Sequence, residues 1–332
     1  MMSSPLVSII IPLYNRASLI VETLESICAQ SYTHWECIIV DDGSTDASLD
    51  VVSSFISRLE AKACAQDQFS VFSRPEVLVK GADACRNYGF LKSKGSWVNW
   101  FDSDDLMLPH HLEKKVAQLQ EDPAVDVVLC YNQSFMDTKG KRELGAVNSF
   151  QKQNLLRDLI LRKQFVQTGC ALWSRDYINT QFDTEAIFDE SLSQSQDYDF
   201  YARILEYMPT MTIIPEPLFL FRRGNPSIST HFTTHTEKHL TSFLRARTKI
   251  IERYQGDTEI QKGVLNAILG SWNQQLHQQS KTAFRTYVRC LDDCKKWISP
   301  AFAKALTKKI QWAVGLRMLG RGAHRFRHKF RL

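Results

Sequence analysis

Short apolar runs alternate with amphipathic stretches through the first two-thirds of this chain. That alternation restricts it to βαβ units, a mainly parallel sheet covered by helices. Val7-Ser8-Ile9-Ile10-Ile11-Pro12 reads as a buried first strand, followed by a helix from about Ser18 to Gln30. Glu36 to Val40 is a second strand, Phe69 to Phe72 a third, Ser96 to Phe101 a fourth and Asp126 to Tyr131 a fifth. A helix is expected from about Ala82 to Lys92, and another opening at Pro109, where the missing N–H is harmless. His110 and His111 follow that proline and are expected in solvent, while Trp97, Trp100, Tyr131 and Trp173 are expected in the core. From about Phe232 the pattern changes to long polar helices without strand-like runs. The expected division is an α/β domain over 1–230, in two halves that meet near 110, and a helical extension over 231–332.

Two of the strands end in acidic clusters, Asp41-Asp42-Gly43-Ser44 and Asp102-Ser103-Asp104-Asp105. In a parallel sheet the carboxyl ends of the strands share one edge, where ligands bind. An acidic turn before a helix is often no more than a cap. One cap needs one carboxylate, however, and the cluster has Asp102, Asp104 and Asp105 within four residues. Such neighbours repel by about 3 kcal/mol per pair at about 5 Å and an effective dielectric of about 20. A cation or a polar ligand is the better reading. Neither G-x-G-x-x-G nor G-x-x-x-x-G-K-[ST] occurs, so no glycine-rich turn cradles a phosphate. A diphosphate at this edge would need a metal, and hard carboxylate oxygens suit Mg2+ or Mn2+.

At this point the motifs resemble the family-2 glycosyltransferases, of GT-A fold, in order and spacing over roughly the first 230 residues. The matches are Val7 to Asn15, Asp41 to Asp46, Arg86-Asn87-Tyr88-Gly89, Gly95 leading into Phe101 to Asp105, Pro109, Phe188-Asp189-Glu190 and Gln196-Asp197-Tyr198-Asp199-Phe200. The resemblance implies an α/β GT-A nucleotide-diphospho-sugar transferase fold and an inverting, metal-dependent transfer from a nucleotide sugar, UDP-linked, to an acceptor hydroxyl. Pro12, Tyr14 and Asp42 would line the nucleotide pocket, with Asp42 accepting from the base. Arg86 would touch the diphosphate, although an exposed helix arginine is a competing reading. Asp102 and Asp104 would meet the donor, Asp104 and Asp105 the metal, and Asp197 would be the catalytic base. A first-turn helix carboxylate is the plainer reading of Asp197. Many relatives carry a histidine where Gly224 stands, so Arg222, Arg223 or His231 would substitute for it, or the loop would be arranged differently. The acceptor is expected to be a glycan or lipid-linked glycan of cell-surface polysaccharide or lipopolysaccharide synthesis, contacted by residues from about Phe135 to Asp189. Two alternatives remain: a sugar nucleotidyltransferase, and a non-catalytic nucleotide-sugar-binding protein associated with a membrane.

Charge and cysteines bear on location. From Lys295 to Leu332 there are 11 Lys/Arg and no Asp/Glu, leaving 30 basic against 36 acidic residues before it. An apolar stripe in that tail, including Ile310, Trp312, Ala313, Leu316, Met318 and Leu319, either packs on the protein or, with its basic flanks, meets an anionic membrane. The acidic body argues against nucleic acid. The amino terminus lacks the features of a secretory signal, and no run is long enough to cross a bilayer. The eight cysteines have no ligand-like spacing, Cys290 and Cys294 reading as helix residues, so no disulfide framework is expected. The expected location is cytoplasmic, peripheral on the cytosolic membrane face if the tail binds lipid.

Overall fold

The structure, a computed structural model, describes residues 4–59, 64–138, 140–184, 186–224, 237–275 and 281–318. β1 (Val7–Leu13) is buried along its whole length, as a strand covered on both faces must be. Beside it run β2 (Trp35–Asp41), β3 (Phe69–Ser73) and β4 (Trp97–Trp100), all parallel, in the order β3-β2-β1-β4. The sheet continues through β8 (Ala171–Ser174), β6 (Val127–Thr138), β9 (Met211–Arg222) and β5 (Leu106–Met107), and β7 (Lys141–Asn148) forms a hairpin with β6. β8 is antiparallel to both neighbours and β9 is parallel to β6, so β1, β2, β3, β4, β6 and β9 all point one way. Their carboxyl ends therefore share one edge, as the alternation requires. The expected parallel strands are all present; β5, β7, β8 and β9 were not read from the pattern.

Helices α1 (Ile20–Cys28), α2 (Ser48–Ser57), α3 (Ala82–Lys92) and α4 (His111–Glu121) cover the first half, and α5 (Leu155–Ile160), α6 (Arg175–Gln181) and α7 (Gln196–Ile204) the second. α3 lies close on β1 because of Gly89. A Cβ there would stand 2.4 Å from Ile10 Cγ2, so only glycine permits this approach.

Two expectations are corrected. His111 is fully buried rather than solvated, its ring nitrogens 3.0 Å from the Leu218 carbonyl oxygen and 2.9 Å from Asn99 Oδ1. It heads the row His111, Lys115, Leu119, spaced four apart on the face of α4 turned inward, while His110 points out beside Glu113. Burial, with Lys115 Nζ 3.0 Å away, holds His111 well below the usual histidine range. Cys28 and Cys64 form a disulfide, where none was expected. The chain between them crosses β2 and α2 and returns to α1, a proximity that spacing along the sequence does not reveal. Of the four aromatic residues expected in the core, Trp100 and Trp173 are fully buried, and Trp97 and Tyr131 pack against the core from partly covered positions.

The extension comprises α8 (Glu237–Arg253), α9 (Thr258–Gln275), α10 (Lys281–Cys294) and α11 (Pro300–Met318). It is not a loose appendage. α8 lies along the segment 189–206: Ser242 Oγ accepts from Ser193 N–H at 2.9 Å, Arg247 donates to Ser195 Oγ at 3.3 Å, Lys249 pairs with Asp189, and Arg253 pairs with Glu206 at 3.4 Å. Leu240, Leu244, Ile250 and Ile251 beneath these bonds are buried in the same hydrophobic cluster as the sheet. Leu306, Ile310 and Ala313 of the tail are buried too, so the described part of the stripe faces protein. Leu319 and the arginine-rich end lie outside the described residues, and of Leu316 and Met318 only the helical backbone is described. No described helix is long and apolar enough to cross a membrane.

Ile251 is fully buried at this junction, so Ile251→Ala is expected to lower stability by about 2–5 kcal/mol. A chain ending at residue 236 should lose the cooperative melt of the full chain, because it exposes the apolar face of α7. Thermal unfolding of both checks this; a truncated chain that melts like the full one would show the extension to be independent.

Candidate active site

Four segments meet at the carboxyl edge of the sheet. At the end of β2, Asp41 and Asp42 play different parts. Asp41 accepts from the backbone N–H groups of Gly43 and Ser44 at 2.9 and 3.0 Å and so closes the turn. Asp42, 5% exposed, accepts from Arg74 Nε at 2.5 Å and from the Gly81 N–H at 3.1 Å. Arg74 follows β3 and carries no sequence signal beyond its charge. Pro12, near the end of β1, is buried opposite Val40. Tyr14 is 41% exposed, with Lys80 Nζ 4.1 Å from the centre of its ring.

The motif Arg86-Asn87-Tyr88-Gly89 resolves into three separate roles, since successive residues of a helix face different ways. Gly89 meets β1. Asn87 pairs with the backbone of Phe188 in both directions, N–H to Oδ1 and Nδ2 to carbonyl, each at 2.9 Å. Arg86 is only 4% exposed, which removes the reading of it as a surface arginine. Its guanidinium donates to Asp102 Oδ1 at 2.8 Å, to Asp83 Oδ1 at 3.1 Å and to Gln196 Oε1 at 3.5 Å. Burial works against that cation, but Asp102, Asp83 and Asp197 together raise its pKa. Asp83 Oδ2 and Arg86 Nε are buried without a hydrogen-bond partner among the described residues.

The three aspartates after β4 are not equivalent. Asp102 is the most open, its side chain 37% exposed. Asp104, 16% exposed, lies 3.5 Å from Arg16 Nε. Asp105 is 3% exposed, and its Oδ1 accepts from the backbone N–H of Arg222 at 3.0 Å. Burial, and after it the charge of Asp102, raises the pKa of Asp104, with Arg16 and Arg222 opposing. Burial and both neighbouring carboxylates push Asp105 well up. The open aspartates, Asp102 and Asp104, carry the hard oxygens that Mg2+ or Mn2+ takes, but no group of three or more metal-ligating side chains stands together among the described residues.

Arg222 is committed elsewhere. Its guanidinium pairs with Glu22 and Asp137, donates to the Asp104 carbonyl oxygen at 2.9 Å, and stacks on Phe135. It fastens β9 to α1 and β6 and is not a spare cation for a diphosphate. Gly224 has φ +87° and its added Cβ would stand 3.1 Å from Met136 Sδ, so a histidine there would be strained. Arg223 stacks on Phe221, and His231 lies outside the described residues.

Asp197 stands in the first turn of α7, after Ser195 in the left-handed region (φ 65°). Its pKa is raised to about 6, chiefly by burial, with Arg86 opposing and Asp102 adding. On its other side it opens on a cleft walled by Arg162, Gln164, Phe165 and Val166. Asp102, Asp197 and Arg86, far apart in sequence, thus form one electrostatic unit. Arg16, Arg74, Lys80 and Asp83 join the site without having been read from the sequence.

The chain is similar to known proteins in sequence and in fold. The model of Glycosyl transferase family 2 matches residues 8–182. An uncharacterized glycosyltransferase of Rickettsia felis is 30% identical over 242 residues, 68% of this chain and 36% of its own length. Glycosyltransferase GlyG of Streptococcus pneumoniae is 27% identical over 241 residues, 68% of this chain and 73% of the relative. The chain spans 36% of the first of these and 59% of a Rickettsia typhi relative. Among solved structures, S. aureus TarS 1-349 in complex with UDP-GlcNAc superposes with a TM-score of 0.64 at 17% identity, over 95% of this chain and 88% of that one. Mannosyltransferase PcManGT from Pyrobaculum calidifontis, in complex with GDP-Man and Mn2+, gives 0.55 at 19% identity, over 99% and 86%. The fold is that of the GT-A glycosyltransferases, and the chain belongs to glycosyl transferase family 2.

Proposed function

We propose that this protein moves a sugar from a UDP-linked donor to an acceptor hydroxyl with inversion, in the synthesis of cell-surface polysaccharide or lipopolysaccharide, with Asp197 as the base. The observation that carries the reading is the position of Asp197, electrostatically joined to Asp102 through Arg86 on one side and open to a cleft on the other. A hydroxyl is a poor nucleophile, so a carboxylate within reach must take its proton as it attacks the anomeric carbon. A pKa of about 6 suits a general base, because the group is ionised at neutral pH yet more basic than an ordinary aspartate. A single in-line displacement inverts the anomeric centre.

Asp42 and Arg74 support a uracil base, whose N–H lies between two carbonyl oxygens and so complements a carboxylate beside a guanidinium. Pro12 and Tyr14 would border the same base, and the UDP-GlcNAc complex of TarS is in keeping with a uridine donor. Asp102 faces the ribose or sugar, and its partner Arg86 meets the diphosphate side. Asp104 would hold Mg2+ or Mn2+, joined by whatever oxygen Asp105 keeps from the Arg222 N–H. When bound, the ion would offset the charge that develops on the leaving diphosphate. The catalytic unit over 1–230 would then depend on α8, which braces the segment carrying Asp197. The tail beyond 318, with five Lys/Arg and no Asp/Glu, would meet an anionic membrane and hold the protein on its cytosolic face.

Asp197→Asn is expected to lower kcat by about 10²-fold or more with UDP affinity nearly unchanged, since a base acts in the transition state. Normal turnover by this variant in a steady-state assay would remove Asp197 from the role. For the unmodified protein, kcat/KM should fall about tenfold per pH unit below about pH 6, as the base protonates. The same raised pKa has a stability consequence with a definite sign. Because the folded state holds this proton more tightly than the unfolded chain, stability falls as pH rises to about 6, and the charged form weighs against the fold above that. Asp197→Asn should therefore raise Tm at pH 7–8 and lose the gain by about pH 4. A first-turn capping carboxylate would show the opposite, a lower Tm on substitution. Asp104→Ala is expected to weaken UDP binding in Mn2+ and to remove the difference between Mn2+ and chelator in calorimetry; equally tight binding by the unmodified protein in chelator would count against the metal.

A further inference from the structure

The cleft beyond Asp197 has one arginine on its wall and a second behind it, neither ion-paired to a described carboxylate. Arg162 is exposed at its wall, and Arg247 of α8, 1% exposed, lies behind Tyr198, its guanidinium 4.9 Å from that ring and 3.6 Å from the ring of Phe243. Among the described residues neither arginine has a carboxylate partner. Arg247 donates instead to Ser195 Oγ at 3.3 Å and the Phe243 carbonyl oxygen at 2.9 Å. The nearby carboxylate Asp158 is taken by Lys163 at 3.6 Å and by Gln164 Nε2 at 3.0 Å. A buried guanidinium is normally paired with a carboxylate, so Arg247 without one leaves the floor of the cleft positive, and no described carboxylate occupies the exposed Arg162 where a ligand's anion could meet it.

Backbone and surface features of the same wall agree. Arg162 follows α5 with φ +58°, a left-handed position where glycine or asparagine is usual, and the turn is pinned by the Arg162 N–H on the Leu159 carbonyl oxygen at 3.0 Å. A long charged side chain held there against backbone preference is a feature to be explained by function. Phe165, three residues on, is 43% exposed and offers the cleft an apolar platform.

We infer that this cleft is the acceptor subsite and that the acceptor is anionic: a sugar bearing a phosphate or carboxylate, its charge on Arg162, its ring on Phe165 and its attacking hydroxyl at Asp197. The inference rests on the reading of Asp197 as the base. Arg162 binds the charge directly, and Arg247 holds the field positive from beneath while anchoring Ser195. This positive field also offsets the repulsion that Asp197 exerts on any negatively charged acceptor.

The test uses matched sugars on the full-length protein: methyl β-glucoside, its 6-phosphate, methyl glucuronide and inorganic phosphate. Saturation-transfer NMR reads binding without requiring the correct donor, and transfer from a panel of UDP-sugars reads turnover. The charged sugars are expected to bind at least about tenfold tighter than the neutral one, as a charge-assisted hydrogen bond would give. Preference for the 6-phosphate or the glucuronide tells which anion is natural. Arg162→Ala should erase the preference, raising KM for the charged sugars with kcat little changed, and Arg162→Lys should restore part of it. Equal binding of charged and neutral sugars, or a preference that survives Arg162→Ala, overturns the anionic subsite and leaves the base intact. Inorganic phosphate binding as tightly as the sugar phosphate overturns the acceptor assignment. Full turnover by Asp197→Asn overturns the base, and with it the cleft's identity as the acceptor subsite, whatever the NMR shows about charge.

Discussion

The site depends on one buried cation. Asp83, Asp102 and Asp197 converge on the carboxyl edge of the sheet, Asp83 fully buried and Asp102 partly open, and without a counter-charge they would repel one another. Arg86 supplies it, donating to Asp83 and Asp102 and opposing the rise in the pKa of Asp197. Its guanidinium can do this because its planar fork offers several donors at once, where a lysine would offer a single point of charge. The helix that carries Arg86 is held in place by its own neighbours, Asn87 on the backbone of Phe188 and Gly89 against Ile10. A motif of four residues thus joins a strand, a helix and the approach to α7.

A second arginine serves architecture instead. Arg222 ends β9 and ties together Glu22 of α1, Asp137 of β6 and the backbone of Asp104. Its own N–H reaches Asp105, so the acidic cluster is fastened from below while Asp102 and Asp104 stay open above. This division explains how three adjacent aspartates are accommodated: one is built into the scaffold, and two face the crevice. It also explains the glycine at 224, which leaves the tie with a backbone that a histidine would not adopt without strain.

The helical extension contributes to the site through contact rather than chemistry. α8 reaches the 189–206 segment with Ser242, Arg247, Lys249 and Arg253, one after another along its length. Each of these bonds restrains the approach to Asp197, whose proposed role as a base depends on its position. A carboxylate in a loop-to-helix junction is otherwise free to fray. The extension therefore converts a local junction into part of a packed core.

Much of this protein was legible in its sequence because the signals are local. Strand and helix periods depend on residues a few positions apart, so β1, β2, β3, β4 and α3 could be read directly, and α7 was visible from Gln196 onward. Strand direction then required Asp42 and Asp102 to share an edge. What the sequence could not carry was the partner of each charge. Arg74 meets Asp42 across 32 residues, and Arg222 meets Glu22 across 200, distances at which no periodicity operates. His111 looked solvated beside Pro109 and is buried, because which face of α4 turns inward depends on β9, itself unread. Cys28 and Cys64 looked isolated and are joined for the same reason, a proximity in space without a local signal. Local sequence determined the elements and the residue types at their ends; tertiary packing alone decided which charges are paired, which are buried and which remain open to a ligand, since those are properties of distance in space and of access to water.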